Sequence, residues 1–233
     1  MNSNQNPKTA LITGANGRIG LELAKECLDM GYHAIIHYRS SIEPALSALG
    51  GDERVTFIQA DLTESPEKFI HNIVQLPISL VGLINNASVF QEGNLSDIKH
   101  FYNILHINTL VPLRLSTEFA KVVKNGWIIN LTDARTSSVG RRYQNYRITK
   151  LFLDELTQQL AYLYAPAIRI NAIAPGATLP SAGNTNENFN VLSNSIPMGK
   201  TGDPQHLRQA LRFLIENDYM TGAVIPVDGG WHL

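Results

Sequence analysis

The chain has 233 residues, 44% of them hydrophobic, with 19 basic and 20 acidic side chains and a formal net charge of −1. That length and apolar content suit one domain, residues 1–233, with a sizeable core. A balance so close to neutral excludes binding through a long-range field. Nothing points to nucleic acid or to a membrane surface, and a charged ligand has to be met by a local cluster.

The first residues, Met1 to Lys8, are polar and lack the apolar core of a signal peptide, and no apolar run reaches membrane-spanning length. The expectation is a cytoplasmic protein acting on a small molecule. The single cysteine, Cys27, stands in a helical pattern, as a reactive thiol or, more simply, as a small buried apolar residue. One cysteine makes no internal disulfide, and no Cys/His cluster has metal-ligand spacing, so no metal is expected.

In chain order, short apolar runs alternate with segments of helical period. Strands are predicted at Thr9–Thr13, Ala34–Tyr38, Val55–Gln59, Leu80–Ile84, Trp127–Leu131, Ile168–Ile173 and Ala223–Val227. Helices are predicted at Gly20–Met30, Pro66–Val74, Asp97–Val123, Tyr146–Tyr164 and Pro204–Glu216. Strands rich in Ile, Val and Leu without polar alternation are buried on both faces. The order implies right-handed crossovers and an α/β fold: a Rossmann-like, doubly wound parallel sheet of about seven strands with helices on both faces. Thr178–Ser195 is a long stretch rich in Asn, Ser and Thr; it reads as a substrate lid or as a plain surface loop.

Thr13-Gly-Ala-Asn-Gly-Arg-Ile-Gly20 follows the first strand and opens a helix. Glycine lets backbone approach a pyrophosphate, and a helix start offers unpaired N–H donors and a favourable dipole. The second strand ends in His37-Tyr38-Arg39-Ser40, without the acid that binds a ribose 2′-hydroxyl in NAD sites. Arg39, Ser40 and Arg18 can instead hold a 2′-phosphate, which predicts NADP(H); Arg39 can also be a solvated surface arginine. Asp61, past the third strand, either caps the next helix or accepts from adenine, and on the residues alone capping is the simpler reading. Asn85-Asn86-Ala87-Ser88 closes the fourth strand, where such sheets bind ligands, although Asn is also a common turn residue.

Tyr146 and Lys150 are four apart at a predicted helix start and share a face. An ammonium beside a phenol is expected to lower the phenol's pKa and ready it to give a proton to substrate. Tyr-x-x-x-Lys is common by chance; its force here comes from its position relative to the other motifs.

Taken together and in order, Thr13-to-Gly20, Asp61-Leu62, Asn85-Asn86-Ala87, Asn108, Tyr146-x-x-x-Lys150, Asn171-x-Ile-x-Pro175-Gly176 and Val227-Asp-Gly-Gly230 resemble the short-chain dehydrogenase/reductase family over nearly the whole chain. The resemblance implies a nicotinamide cofactor contacted by Gly14, Arg18, Ile19, Gly20, the His37–Ser40 segment, Asp61, Leu62, Asn86, Ala87, Ser88, Tyr146, Lys150, Pro175 and Gly176. It makes Tyr146 the proton donor, gives Lys150 the nicotinamide ribose and Asn108 a relay water, turns Asp61 toward adenine, and implies a homotetramer.

Two departures narrow the resemblance. Arg18 replaces the middle glycine of the first motif, and Asp133 stands where most members have a catalytic serine. A serine donates to a carbonyl, whereas an ionised carboxylate only accepts, so Asp133 suits a substrate bearing N–H groups or a proton shuttle. These features, with Asn85-Asn-Ala-Ser-Val-Phe90, resemble the pteridine, dihydromonapterin and dihydrofolate-type reductases. That branch implies Phe90 stacked on a flat pterin, with Ser88 and Arg18 shared between cofactor and substrate. The residue-level alternatives are a core aromatic at Phe90 and a turn cap at Asp133. Two other readings stay open, an ordinary carbonyl reductase and a non-catalytic NADP(H)-binding protein. Residues 177–200, the expected specificity region, carry no interpretable motif.

Overall fold

The computed structural model describes residues 6–180, Phe189 and residues 191–233. Seven strands run through them: β1 (Lys8–Ile12), β2 (His33–Tyr38), β3 (Val55–Gln59), β4 (Ser79–Asn85), β5 (Gly126–Leu131), β6 (Ile168–Pro175) and β7 (Val224–Val227). They form one sheet in the order β3-β2-β1-β4-β5-β6-β7, with every pairing parallel. The helices are α1 (Arg18–Asp29), α2 (Glu43–Leu49), α3 (Pro66–Ile73), α4 (Ile98–Leu105), α5 (Val111–Val122), α6 (Gln144–Tyr164) and α7 (Pro204–Glu216).

Strand alternation sorts the apolar residues into two cores. Ile12, Ile36, Ile84 and Ile129 face α1 and α7, where Leu23, Leu211 and Leu214 meet them. Leu11, Ile35, Leu83 and Ile128 face the other way, against Phe69, Ile70, Leu115, Phe119 and Leu160. Each large side chain buried in this way contributes about 1.5–3 kcal/mol. The sheet is therefore sealed on both sides, and only its edges can offer a site.

Two details differ from the sequence expectations. The helix expected over Asp97–Val123 is α4 and α5 joined by a π-helical stretch, His106–Leu110, whose wider turn breaks the 3.6-residue register. α2 was not anticipated, because only Ala45 and Leu49 of its seven residues are buried and so small an apolar face leaves little periodic signal. The stretch Thr178–Ser195 lies partly outside the described residues; its described end holds a 3₁₀ turn, Leu192–Ser195. The base of that stretch is closed by Gly202 N donating to Ala177 O at 2.7 Å.

Buried polar groups brace the carboxyl edge. Asn85 Nδ2 donates to Asn130 Oδ1 at 2.8 Å and to Ser116 Oγ at 3.1 Å, and Asn130 Nδ2 donates to Thr157 Oγ1 at 2.9 Å. Side-chain amides thereby tie β4 and β5 to α5 and α6. Asn85, read from sequence as a possible turn residue, is the centre of this tie. Further on, Arg169 donates to the carbonyls of Leu214 and Ile215 in the last turn of α7 and to those of Asn217 and Met220 just beyond it.

Candidate active site

Strand order reverses between β1 and β4, and at that point the carboxyl edge opens into a cleft of about 840 Å³. Its nucleotide end is built mostly from backbone. Gly14 has φ +61°, and a Cβ there would come 2.8 Å from Ala87 Cα; a Cβ on Gly20 would come 2.5 Å from Asn86 Nδ2. Asn86 Nδ2 donates to the carbonyls of Thr13 and Gly14, both at 2.9 Å, and Thr13 Oγ1 accepts from the N–H groups of Asn86 and Ala87. The glycine loop is thus welded to the end of β4. α1 starts at Arg18, in the left-handed region at φ 55°, and no side chain caps it. Its first N–H donors remain available to a phosphate.

His37 is buried and pinned at both ring nitrogens, Nδ1 accepting from Gly14 N and Nε2 donating to Ala60 O. Burial lowers its pKa, in keeping with a neutral ring that supports the loop. Arg39 is exposed, and among the described residues its guanidinium makes no hydrogen bond or ion pair. Asp61 does not cap α3, whose N-cap is Ser65. Its Oδ1 accepts from Thr63 N and Oγ1, and these bonds hold its carboxyl below the ordinary range. This local turn replaces the capping reading.

The chemical end is built from side chains. Tyr146 Oη donates to Asp133 Oδ2 at 3.2 Å, and Arg135 N donates to Asp133 Oδ1 at 2.7 Å. Lys150 is buried, with Nζ 5.8 Å from the Tyr146 ring centroid and donating to Leu131 O at 2.7 Å. The expected fall in the phenol's pKa is not found. Burial and the adjoining Asp133 charge push Tyr146 well above a phenol's ordinary value. Burial also raises Asp133 and brings Lys150 down to about 8. The carboxylate opposes the ammonium, so this phenol keeps its proton firmly.

Phe90 is no core residue: it is 49% exposed and lines the cleft. Its ring stacks on Tyr143 at 4.4 Å and 10°, and meets Tyr146 edge-on at 4.7 Å and 88°. Tyr143, left-handed at φ 58°, precedes α6, and Arg142 lies over its ring while forming a two-pronged pair with Glu92. Ser88 Oγ donates to Asn108 Oδ1, and Arg18 donates to Pro180 O at 2.6 Å, at the start of the long loop. On the far side, Arg135 lies 4.6 Å over the Trp231 ring, and Trp231 Nε1 donates to Ser195 Oγ.

Every residue expected at the site lines this cleft except Tyr38 and Asn108. Tyr38 is the alternate of His37 on β2, and alternation directs it away from the glycine loop. Asn108 is wholly buried, and its side chain is in use. Oδ1 accepts from Ser88 Oγ and Val89 N, and Nδ2 donates to Val89 O and Thr149 Oγ1. Its side chain therefore braces the Phe90 segment. Tyr143, which lines the cleft, was missed. The small-thiol reading of Cys27 holds: the side chain is buried and burial pushes it up to about 12. Among the described residues no helix is long and apolar enough to cross a membrane.

A family model described as enoyl-(acyl carrier protein) reductase matches residues 14–232, and the chain belongs to the short-chain dehydrogenase/reductase family of oxidoreductases. It is 32% identical to the 3-oxoacyl-(acyl-carrier-protein) reductase FabG of Rickettsia bellii, over 96% of each chain. It is 27% identical to the dihydromonapterin reductase of Shigella sonnei, covering 97% of this chain and 98% of that one. The crystal structure of FolM alternative dihydrofolate reductase 1 from Brucella suis, in complex with NADP, superposes with a TM-score of 0.88 at 28% identity, covering 98% of this chain and 96% of that one.

Proposed function

We propose that this protein is a single-domain, NADPH-dependent reductase of a pterin ring, taking a dihydropterin to its tetrahydro form. The carrying observation is Asp133, set against the Tyr146 hydroxyl in a cleft whose wall is the exposed ring of Phe90. A carboxyl group suits a heterocycle with N–H groups better than a bare ketone, and Phe90 suits a flat one. Relatives named dihydromonapterin reductase and alternative dihydrofolate reductase support the reading.

The glycine loop, the uncapped start of α1 and the exposed Arg39 fit a dinucleotide carrying a 2′-phosphate. Reduced nicotinamide held there supplies a hydride. The ring C=N gains that hydride at carbon and a proton at nitrogen. Tyr146 Oη holds the proton to be given, and Asp133 orients the N–H edge or passes on a proton. Lys150 holds the ribose side of the site. Exposed apolar residues on α4 and α6, among them Ile98, Tyr102, Leu151 and Phe152, suit a homotetramer.

Mixing the protein with NADPH and dihydropterins and following NADPH absorbance tests this directly. Turnover is expected; none with any pterin, alongside good turnover of a ketone or acyl thioester, refutes it. The second reading is a 3-oxoacyl thioester reductase, favoured by the FabG relative. The two diverge on Asp133→Ser, which raises thioester activity on the second reading and lowers pterin turnover on the first.

A further inference from the structure

Arg135 follows Asp133 by two residues, and its backbone N–H already donates to Asp133 Oδ1 at 2.7 Å. A guanidinium so close along the chain is the natural partner for that carboxyl, and the pair would be two-pronged and strong. It does not form. Among the described residues no ion pair joins Arg135 to any acid, and its guanidinium makes no hydrogen bond. The guanidinium lies 4.6 Å over the Trp231 ring.

Trp231 is fixed where it stands. Its Nε1 donates to Ser195 Oγ at 3.1 Å. The turn that carries it, residues 228–232, is closed by Asp228, whose carboxylate accepts from Gly230 N at 2.9 Å, His232 N at 2.7 Å and His232 Nδ1 at 2.8 Å. Gly229 and Gly230, at φ +66° and +86°, allow so tight a turn after β7. The acid of the turn is thus engaged within it, and what the turn offers a cation is a ring face. An indole face attracts a guanidinium without neutralising it.

We propose that Trp231 is a positioning residue: its ring holds the Arg135 guanidinium off Asp133, and so keeps that carboxyl open to the Tyr146 hydroxyl and to substrate. Released, the guanidinium would close on Asp133, fix it as a carboxylate and take up the oxygen that meets Tyr146. Burial raises this carboxyl even with Arg135 nearby, whereas a two-pronged arginine would hold it low. The other charged or titratable groups acting on Asp133 are Lys150, Tyr146 and Asp154 on α6, while Asp228 and His232 flank Trp231 in its turn. The inference rests on Asp133 belonging to the reacting site and is independent of which substrate is reduced.

The test is a carboxyl-carbon NMR titration of the full chain, with Asp133 assigned from Asp133→Asn. In Trp231→Ala the freed guanidinium should pair with Asp133 and lower its proton affinity about tenfold or more. Trp231→Phe keeps a ring face and should hold the midpoint near that of the unaltered protein. The double variant Trp231→Ala/Arg135→Gln should restore it, because the harm comes from the guanidinium. An unchanged midpoint in Trp231→Ala would overturn the proposal, as would a fall that persists in the double variant or appears equally in Trp231→Phe. Arg135→Gln alone decides the matter even if the Trp231 variants fail to fold. Its midpoint should move by much less than tenfold; a rise of about tenfold or more would mean that the guanidinium already sits on Asp133, and the proposal would fall. Because no turnover is measured, a negative result here is distinct from a failure of the pterin reading.

Discussion

The two ends of the cleft are made differently. The nucleotide end is backbone: Gly14, Gly20, the Thr13–Asn86 weld and the open start of α1 all lie within a few residues of β1 or β4. The chemical end is side chain: Phe90, Asp133, Tyr143 and Tyr146 come from three separate segments and meet only in the folded chain. A backbone cradle tolerates variation in what surrounds it. A side-chain cluster depends on every element that aims its members.

Whether the two ends act independently is a question for substitution at each. Tyr146→Phe removes the proposed proton donor, and a lost general acid costs about 10²–10⁴ in rate. Turnover measurements should show that fall while NADPH titration by fluorescence shows little change; a parallel loss of NADPH affinity would mean the two ends are one unit. Arg39→Glu addresses the other end. A charge-assisted hydrogen bond of about 1.5–3 kcal/mol predicts an NADPH Kd raised about 10- to 100-fold, with NADH binding nearly unaffected.

The pH dependence tests the chemical end alone. Lys150, brought down to about 8, carries its charge below that value and loses it above. Activity that needs the ammonium should fall as pH rises through about 8 in a kcat/KM profile. Lys150→Arg, which stays charged, should flatten that limb although its ceiling is lower.

The smallest effect is on stability. The folded-state pKa of Asp133 is raised, so its ionisation costs nothing below the ordinary carboxyl range and costs in full above the folded value. Asp133→Asn should therefore stabilise the protein at neutral pH by about 1 kcal/mol, or about 2–4 °C in Tm. Thermal melts at descending pH should show the gain vanish.

This contrast also accounts for what could be read from the residues. Strands β1 to β7 and the glycine loop are local patterns, a run of Ile and Val or a glycine after a strand, and they appeared where expected. Asp133, Tyr146 and Lys150 were found through their spacing and through a family resemblance. The direction of the Tyr146 shift was not legible, because it depends on how deeply Asp133 is buried, a property of the whole fold. Tyr143 owes its stacking to a left-handed backbone that no residue type announces there. The bracing role of the Asn108 side chain was not legible, because its partners Val89 and Thr149 lie 19 and 41 residues away.

The π-helical stretch between α4 and α5 works as a spacer with one residue more than a regular coil would hold. Deleting a single residue within His106–Leu110 would let the ordinary ladder run straight through. Everything on one side of the cut would then swivel by about 100°. The Asn108 amide would leave its four partner atoms, and the loop it anchors would come adrift from α6. A straighter rod would be gained at the expense of the enzyme's aim.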